Sequence, residues 1–419
     1  MAAHQPDPGL GSRYWNLWTA FSAVNLGDGL SLVAFPLLAI TITDDARLVA
    51  LVSVFRFLPF VVIGLPAGVL LDRFDRRLLG ILAQLGRATG MAVGAAVVVA
   101  EAATIPVLLA IGFAIGVGEV LTDGGLPALV RDVVRSDQLE VANSRLSATQ
   151  TVTNLFVGPP IGALLFELRP SLPFVAAGVL YLGAAGLLTR LTGTEPPVRS
   201  PEDDGAGFRA EVTAGLRYVW SHPVLRPLAL TVAIFSFVGE AGNGIFVILA
   251  TERFGLSSTQ YGLLIGVDGV ASVAMSFLVA RLVTRTSHAT SMRLSIVTYT
   301  IAALLFGVGT TIGAVVLASV FMGISDPTWN VVTATIRQRL VPGEVFGRMM
   351  TAYLFIAWGM QPVGALMGGV VAERWGPQWV FVISGSVVAS LLVLGRPLFR
   401  QIPLALAAAE PPTPPDPKH

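Results

Sequence analysis

Cysteine is absent from all 419 residues, which excludes disulfides, thiolate metal sites and thiol nucleophiles. Lysine occurs once, at Lys418, and histidine four times, at His4, His222, His288 and His419, none well inside an apolar run. A phosphate-binding loop requires a lysine in the body of the chain, so a primary pump in one polypeptide is excluded. The HExxH and GxSxG patterns of embedded hydrolases are missing as well. Together these absences argue against an enzyme and against any resident metal or cofactor. Charge is scarce, at 13% against about 25% in soluble domains. A chain this poor in charge lacks the surface that water requires. The stretch Met1-Ala2-Ala3-His4-Gln5-Pro6 carries neither a basic lead nor a short apolar core, so it is not expected to be a cleaved signal, and the first apolar run is expected to direct insertion.

What is present is apolar: 54% of residues are hydrophobic and the mean hydropathy is +0.73. Twelve apolar runs follow one another, the first centred near Asn25 and the last near Val388, each near the roughly 20 residues that a spanning helix needs. They do not alternate apolar with polar residues, which excludes a barrel. The expectation is an all-α membrane protein with twelve transmembrane helices in two pseudo-symmetric six-helix bundles. Of 27 basic residues, 21 fall on the side of the N-terminus when the runs are taken as crossings. Arg47, Arg169, Arg253 and Arg374 fall on the other side, and Arg56 and Arg87 lie within crossings. The positive-inside rule then places both termini in the cytoplasm. A net charge of +1 gives no field for nucleic acid; the expected partners are the lipid bilayer and a small amphiphilic substrate, and the chain is expected to act as a monomer.

Composition divides the chain into a cytoplasmic lead at 1–14, a first bundle at 15–191, a linker at 192–225, a second bundle at 226–400 and a disordered tail at 401–419. The linker opens with Pro196, Pro197, Pro201 and the acidic Glu202-Asp203-Asp204. It then shows Phe208, Val212, Leu216 and Val219 at helical spacing, the pattern of an amphipathic helix at the interface; a short soluble linker helix would read the same way.

One phrase is written twice. Pro160-Ile161-Gly162-Ala163-Leu164-Leu165 returns as Pro362-Val363-Gly364-Ala365-Leu366-Met367. Val24-Asn25-Leu26-Gly27-Asp28 likewise resembles Ser236-Phe237-Val238-Gly239-Glu240, and Ile115-Gly116-Val117-Gly118-Glu119 resembles Met322-Gly323-Ile324-Ser325-Asp326. The offset shrinks along the chain from 212 to 207 to 202, as small loop deletions would produce. Internal repeats of this size are a mark of secondary transporters, whose substrate sites lie between the repeats near mid-membrane.

Six acids fall within apolar runs: Asp28, Glu119, Asp123, Glu240, Asp268 and Asp326. Each costs about 2.5 kcal/mol or more at the bilayer centre, so it is expected to face the bundle interior or a wet cavity. Asp28, Glu119, Glu240 and Asp326 sit mid-run in runs one, four, seven and ten and form two repeat-related pairs. They are read as lining a common pathway where protons or cationic groups bind, although each could be a packing group bonded to its neighbours. Burial and neighbouring like charge favour the protonated carboxyl, so such a cavity is expected to hold a proton, with the proton gradient as the energy source. Arg87 is expected to neutralise Glu119 or Asp123, which share a helix face. Arg56 and Asp268, 212 positions apart, are expected to form a gate or a fixed pair. Phe21, Phe35, Phe235, Phe246, Trp329 and Trp358 are candidates for contact with a lipophilic cargo, or ordinary packing groups.

After the second run comes Gly68-x3-Asp72-Arg73-x-Asp75-Arg76-Arg77. This resembles the loop 2–3 signature of the major facilitator superfamily, with Asp75 where glycine is usual. The resemblance extends over roughly 15–400, and within the superfamily it is to the bacterial exporter branch of macrolide-efflux and siderophore exporters. Leu26-Gly27-Asp28-Gly29, Gly116-Val117-Gly118-Glu119-Val120 and Gly215-Leu216-Arg217-Tyr218-Val219-Trp220 support it. Asn154-x3-Gly158-Pro159-x2-Gly162-Ala163 resembles the exporters' Gly-Pro motif, with Asn154 and Ala163 at positions where glycine is usual. The arginine that many proton-coupled drug antiporters carry in run four is replaced by Gly112. The resemblance implies alternating access in a bacterial inner membrane, with runs one, four, seven and ten around the cavity. It further implies a conformational latch of Gly68, Asp72, Arg73, Arg76 and Arg77, and interhelical packing at Gly158, Pro159, Gly162 and Gly364. Export of amphiphilic molecules by proton antiport is the leading expectation; uptake by symport, lipid flipping, or a non-transporting receptor are the alternatives.

Overall fold

With no water to satisfy backbone polar groups in a bilayer core, an apolar chain must close its hydrogen bonds within helices, and this one does. The computed structural model describes residues 10–135, 138–191 and 208–409. The first half comprises α1 (Gly11–Ile42), α2 (Ala46–Val62), α3 (Gly64–Arg73), α4 (Arg76–Val99), α5 (Ile105–Gly125), α6 (Val130–Val133), α7 (Leu139–Gln150), α8 (Gly158–Leu168) and α9 (Leu172–Thr189). The second comprises α10 (Phe208–Ser221), α11 (Leu225–Ile248), α12 (Ser258–Arg285), α13 (His288–Val308), α14 (Ile312–Leu340), α15 (Gly343–Trp375), α16 (Pro377–Leu394) and α17 (Arg396–Ala409). Among the described residues no strand occurs, and eleven helical stretches are long and apolar enough to cross a membrane. The twelfth crossing is α2 with α3. Pro66 has no N–H to return to the Val62 carbonyl, so the helix breaks at Ile63 and resumes from Gly64.

Two boundaries differ from those read off the composition. The first helix begins at Gly11, within the expected lead. The expected disordered tail at 401–419 is overturned as far as Ala409: Leu398, Phe399, Ile402 and Leu406 repeat at helical spacing and are buried against the second half, so α17 runs through position 401. The rest of the tail, 410–419, and the first part of the linker, 192–207, lie outside the described residues. The expected amphipathic linker helix is α10.

Successive crossings alternate in direction, leaving one end of the protein with α10, α17 and the start of α1 (the terminal end) and the other with short loops (the distal end). At the distal end α15 turns into α16 through Gly376 alone, at φ 94°, a conformation open to glycine at little cost. Within the first half α1 packs on α8 and α9, and α4 on α5 and α9; within the second α11 packs on α15 and α16, and α13 on α14 and α16.

The halves meet along two seams, α2 against α15 and α8 against α12. The second seam depends on prolines. Pro159 and Pro160 donate no hydrogen bond to the carbonyls of Leu155 and Phe156, and the chain widens into a π-helical turn over Thr151–Val157. Those freed carbonyls face glycines of α12: a Cβ at Gly269 would lie 2.8 Å from the Leu155 oxygen and one at Gly266 3.6 Å from the Phe156 oxygen, while one at Gly262 would lie 2.7 Å from the Pro159 oxygen. Backbone therefore meets backbone across the halves, where weak Cα–H···O contacts replace side chains. Nearer the distal end, Glu373 accepts from the Ala46 amide (3.1 Å) and Glu167 from the Thr259 amide (2.9 Å).

Asp45 caps α2 and pairs with Arg47 at 2.7 Å, which pulls its carboxyl down to about 2. A depressed carboxyl contributes stability above its unfolded value of about 3.9, and that contribution fades as pH falls toward 2. The cap at the distal seam therefore stays ionised across the pH range of a living cell, so pH sensing must lie elsewhere. A Cβ on Gly244 of α11 would stand 3.7 Å from the Ser53 Cβ of α2, close to the usual disulfide separation of about 3.8 Å. In this cysteine-free chain Ser53→Cys/Gly244→Cys is expected to oxidise readily to a bridge between the halves, seen as a linked peptide by mass spectrometry. Failure to form it would show that the distal seam is open.

Candidate functional site

Between the halves lies a cavity of about 980 Å³. Its charged lining is uneven. The first half supplies one charged side chain, Arg56 of α2, beside Phe35, Pro36, Ser53 and Phe57. The second half supplies Glu240 from α11, Asp268 from α12, and Asp326 and Arg337 from α14. Oε1 of Glu240 and Oδ1 of Asp268 are enclosed and have no hydrogen-bond partner, and Asp326 and Asn330 stand exposed in the wall. Phe235 stacks on Trp329 with centroids 4.0 Å apart and planes within 12°, Tyr299 meets Phe235 edge-on, and Trp358 meets Phe60 at 5.2 Å. The result is an aromatic chamber with three carboxyls.

Four acids converging on one chamber is not what the fold delivers. Glu240 and Asp326 line it and Asp268 joins them, but Asp28 and Glu119 turn away. Asp28 is buried inside the first half, where it accepts from Arg87 Nη2 and, at 2.8 Å, from the Tyr181 hydroxyl. Arg87 Nη2 also reaches the Tyr181 oxygen at 3.0 Å, and its guanidinium lies 4.2 Å from that ring's centroid. Arg87 is thus the partner of Asp28 rather than of Glu119 or Asp123, because α4 faces α1 across α9 at this level. Glu119 is taken by Arg56, at 3.5 Å, so the expected Arg56–Asp268 pair is not formed. Asp123, at the terminal end of α5, is exposed and outside the cavity.

Of the aromatic candidates, Phe35, Phe235, Phe246, Trp329 and Trp358 line the cavity, whereas Phe21 belongs to the core between α1 and α7. Gly158 and Gly162 pack on Gly29 and Leu30 of α1, and Gly364 on Phe237 of α11, each within its own half; Pro159 and Ala163 are the residues that face the other half, at Gly262. In the latch motif the side chains of Gly68, Asp72 and Arg73 lie outside the described set. Arg77 donates to the Leu188 carbonyl (2.9 Å) and Arg76 to that of Leu71 (3.1 Å); both bonds stay inside the first half. Asp75, where glycine was the familiar residue, caps α4 by accepting from the Arg77 amide at 2.8 Å, a role in which Asp is strong and Gly weaker.

Sequence reasoning passed over Arg337, counting it among the basic residues of the terminal side. The signal was available: Arg337 lies eleven residues beyond Asp326, on the same helical face. Tyr261 and Asn243, also in the lining, carried no such mark.

A helical bundle in two halves around a central cavity is the architecture of a membrane transporter of the major facilitator type. The profile described as transmembrane secretion effector matches residues 11–413, and the chain belongs to that family. It is 23% identical over 403 residues to macrolide efflux protein A of Streptococcus pyogenes (91% of this chain, 96% of that one). It is 26% identical over 421 residues to the multidrug efflux pump Tap of Mycolicibacterium fortuitum (93% and 96%). Among solved structures the nucleoside transporter NupG superposes with a TM-score of 0.75 at 13% identity, covering 94% of this chain and 99% of that one. An inward-facing, unoccupied bacterial homologue of the human lysosomal transporter Spinster superposes at 0.69 and 15% identity (98% and 100%).

Removing one partner of an enclosed ion pair leaves the other uncompensated, at a cost of about 3–5 kcal/mol. Asp28→Asn is therefore expected to lower the thermal unfolding midpoint in detergent sharply, and Asp28→Leu/Arg87→Leu to recover much of the loss. Glu240→Gln, which removes an acid with an unpartnered oxygen, is expected to leave the midpoint unchanged or raise it.

Proposed function

We propose that this protein exports amphiphilic small molecules across a bacterial inner membrane by alternating access, driven by proton antiport. The observation that carries the reading is the chamber itself: Glu240, Asp268 and Asp326 beside the Phe235–Trp329 stack, with a lining that extends to Ser147 and Arg337 toward the terminal end while Glu373 and Glu167 bridge the halves at the distal rim. Aromatic faces bind the flat apolar part of such a cargo and attract cationic groups. The three carboxyls alternate between holding protons and holding the cargo's positive or hydrogen-bonding groups. A proton taken up from the far side displaces the cargo, and loss of that proton on the near side restores the charge that draws in the next.

With both termini cytoplasmic by the positive-inside rule, the terminal end, toward which the cavity lining extends to Ser147 and Arg337, faces the cytoplasm, where an exporter loads. The efflux proteins to which the chain is similar support the same direction. Asp28 and Glu119 take no part in proton exchange on this reading; they are committed to Arg87 and Arg56 and hold the first half together.

Purified protein in proteoliposomes tests this with ethidium as cargo and an imposed pH gradient. Wild type is expected to move ethidium against the proton flux and to stop when an uncoupler is added. Glu240→Gln and Asp326→Asn are each expected to lose at least tenfold of the gradient-driven rate while still binding the dye. Rates that ignore the pH gradient would sink proton antiport, and movement in the direction of the proton flux would make the protein a symporter.

A further inference from the structure

Asp326, Asn330, Thr333 and Arg337 occupy positions i, i+4, i+7 and i+11 of α14, and all four line the cavity. At 3.6 residues per turn they form one stripe, and at 1.5 Å per residue Arg337 stands about 16 Å from Asp326 toward the terminal end. The stripe therefore runs from an acid in the chamber wall to a guanidinium at the chamber's terminal end.

Arg337 is unlike the other cations enclosed in the bundle. Arg87 has Asp28 and Arg56 has Glu119, but among the described residues no acidic side chain pairs with Arg337. It is 7% exposed, lies flat against Tyr353 with 3.9 Å from guanidinium carbon to ring centroid, and leaves Nε and Nη1 without any hydrogen-bond acceptor. A basic residue serving only as a topological anchor extends its head into water or among lipid headgroups. This one is folded inward on the cavity face. Stacking on a tyrosine orients the plane of the guanidinium but supplies no acceptor for its N–H groups. No protein group among the described residues supplies that acceptor, and a planar fork of donors matches a carboxylate, phosphate or sulfate group entering the cavity.

We infer that Arg337, oriented by Tyr353, is an anion-binding subsite toward the terminal end of the cavity, and that the protein accepts amphiphiles bearing an acidic group as well as cationic ones. The inference rests on the transporter reading above and narrows its substrate class. An acidic group engages Arg337 by a small rotation that turns the enclosed nitrogens toward it, while the lipophilic or positive part of the same molecule reaches the aromatic pair and the carboxyls further in. Cationic cargo with no acid uses the inner part alone.

The dyes rhodamine 110, a free carboxylic acid, and rhodamine 123, its methyl ester, differ only at the group in question. Binding of each to detergent-purified full-length protein, followed by fluorescence polarisation, is expected to respond differently to substitution at one position. Arg337→Gln should weaken rhodamine 110 at least tenfold and Arg337→Lys should restore part of that, with rhodamine 123 unaffected by either. On wild type, which needs no variant to fold, benzoate should displace rhodamine 110 and leave rhodamine 123 in place. No binding of rhodamine 110 to wild type, equal effects on both dyes, or no effect on either overturns the subsite. Transport in proteoliposomes separates the two proposals: if Arg337-dependent binding persists but neither dye is moved, the exporter reading fails and the anion subsite stands.

Discussion

A carboxylate surrounded by hydrocarbon must be paired, hydrated or neutral, and that constraint sorts the acids of this protein more firmly than its internal symmetry does. Repeat mates have taken opposite solutions. Asp28 is closed off by Arg87 and Tyr181, while its counterpart Glu240 opens on the cavity; Glu119 is held by Arg56, while its counterpart Asp326 stands in the cavity wall. The first half has turned Asp28 and Glu119 into struts and leaves Asp123 exposed at the terminal end of α5. The second half has kept its acids for the chamber, and the duplicated sequence has become two parts with different work.

The seams between the halves follow from an equally simple rule. A proline pair frees two carbonyls, the turn widens, and glycines on α12 let those carbonyls approach a neighbouring backbone. Contacts of this kind depend on close approach rather than on side-chain interlock, so they can part and re-form without repacking a core. The side-chain hydrogen bonds across the halves, at Glu373 and Glu167, accept from backbone amides at the distal rim, and the depressed Asp45 carboxyl keeps the cap beside them charged.

Much of this was legible in the sequence. Apolar runs gave the number of crossings because lipid leaves the backbone no alternative to helix, and the repeated phrases located the two halves. The interruption at Ile63 needed only Pro66 to be taken at face value. Partner choice was less accessible. Arg87 could be placed within a crossing, but whether it would meet Asp28 or Glu119 depends on which helix faces α4, and spacing along one helix carries no information about its neighbours. Asp28 and Glu240 are equivalent in sequence and differ in surroundings, a distinction that exists only after packing. Arg337 was hidden by its position: three residues from the end of α14, it resembles the many arginines that merely mark the cytoplasmic side, and only the stripe it shares with Asp326 sets it apart. The helix over 396–409 was missed because Pro403 and the alanines beyond it read as tail, although Leu398, Ile402 and Leu406 keep a helical period.

The closed pairs of the first half carry a further consequence. A membrane potential does work only on net charge that moves through the field, about 2.3 kcal/mol per elementary charge per 100 mV. Asp28 with Arg87 and Glu119 with Arg56 are compact dipoles of near-zero net charge, so these two pairs couple almost nothing to voltage. Electrical sensitivity then belongs to the three chamber acids, Arg337 and whatever molecule they hold. On the exchange proposed above, the charge of the passenger set against the protons exchanged for it decides whether a turnover is electrogenic.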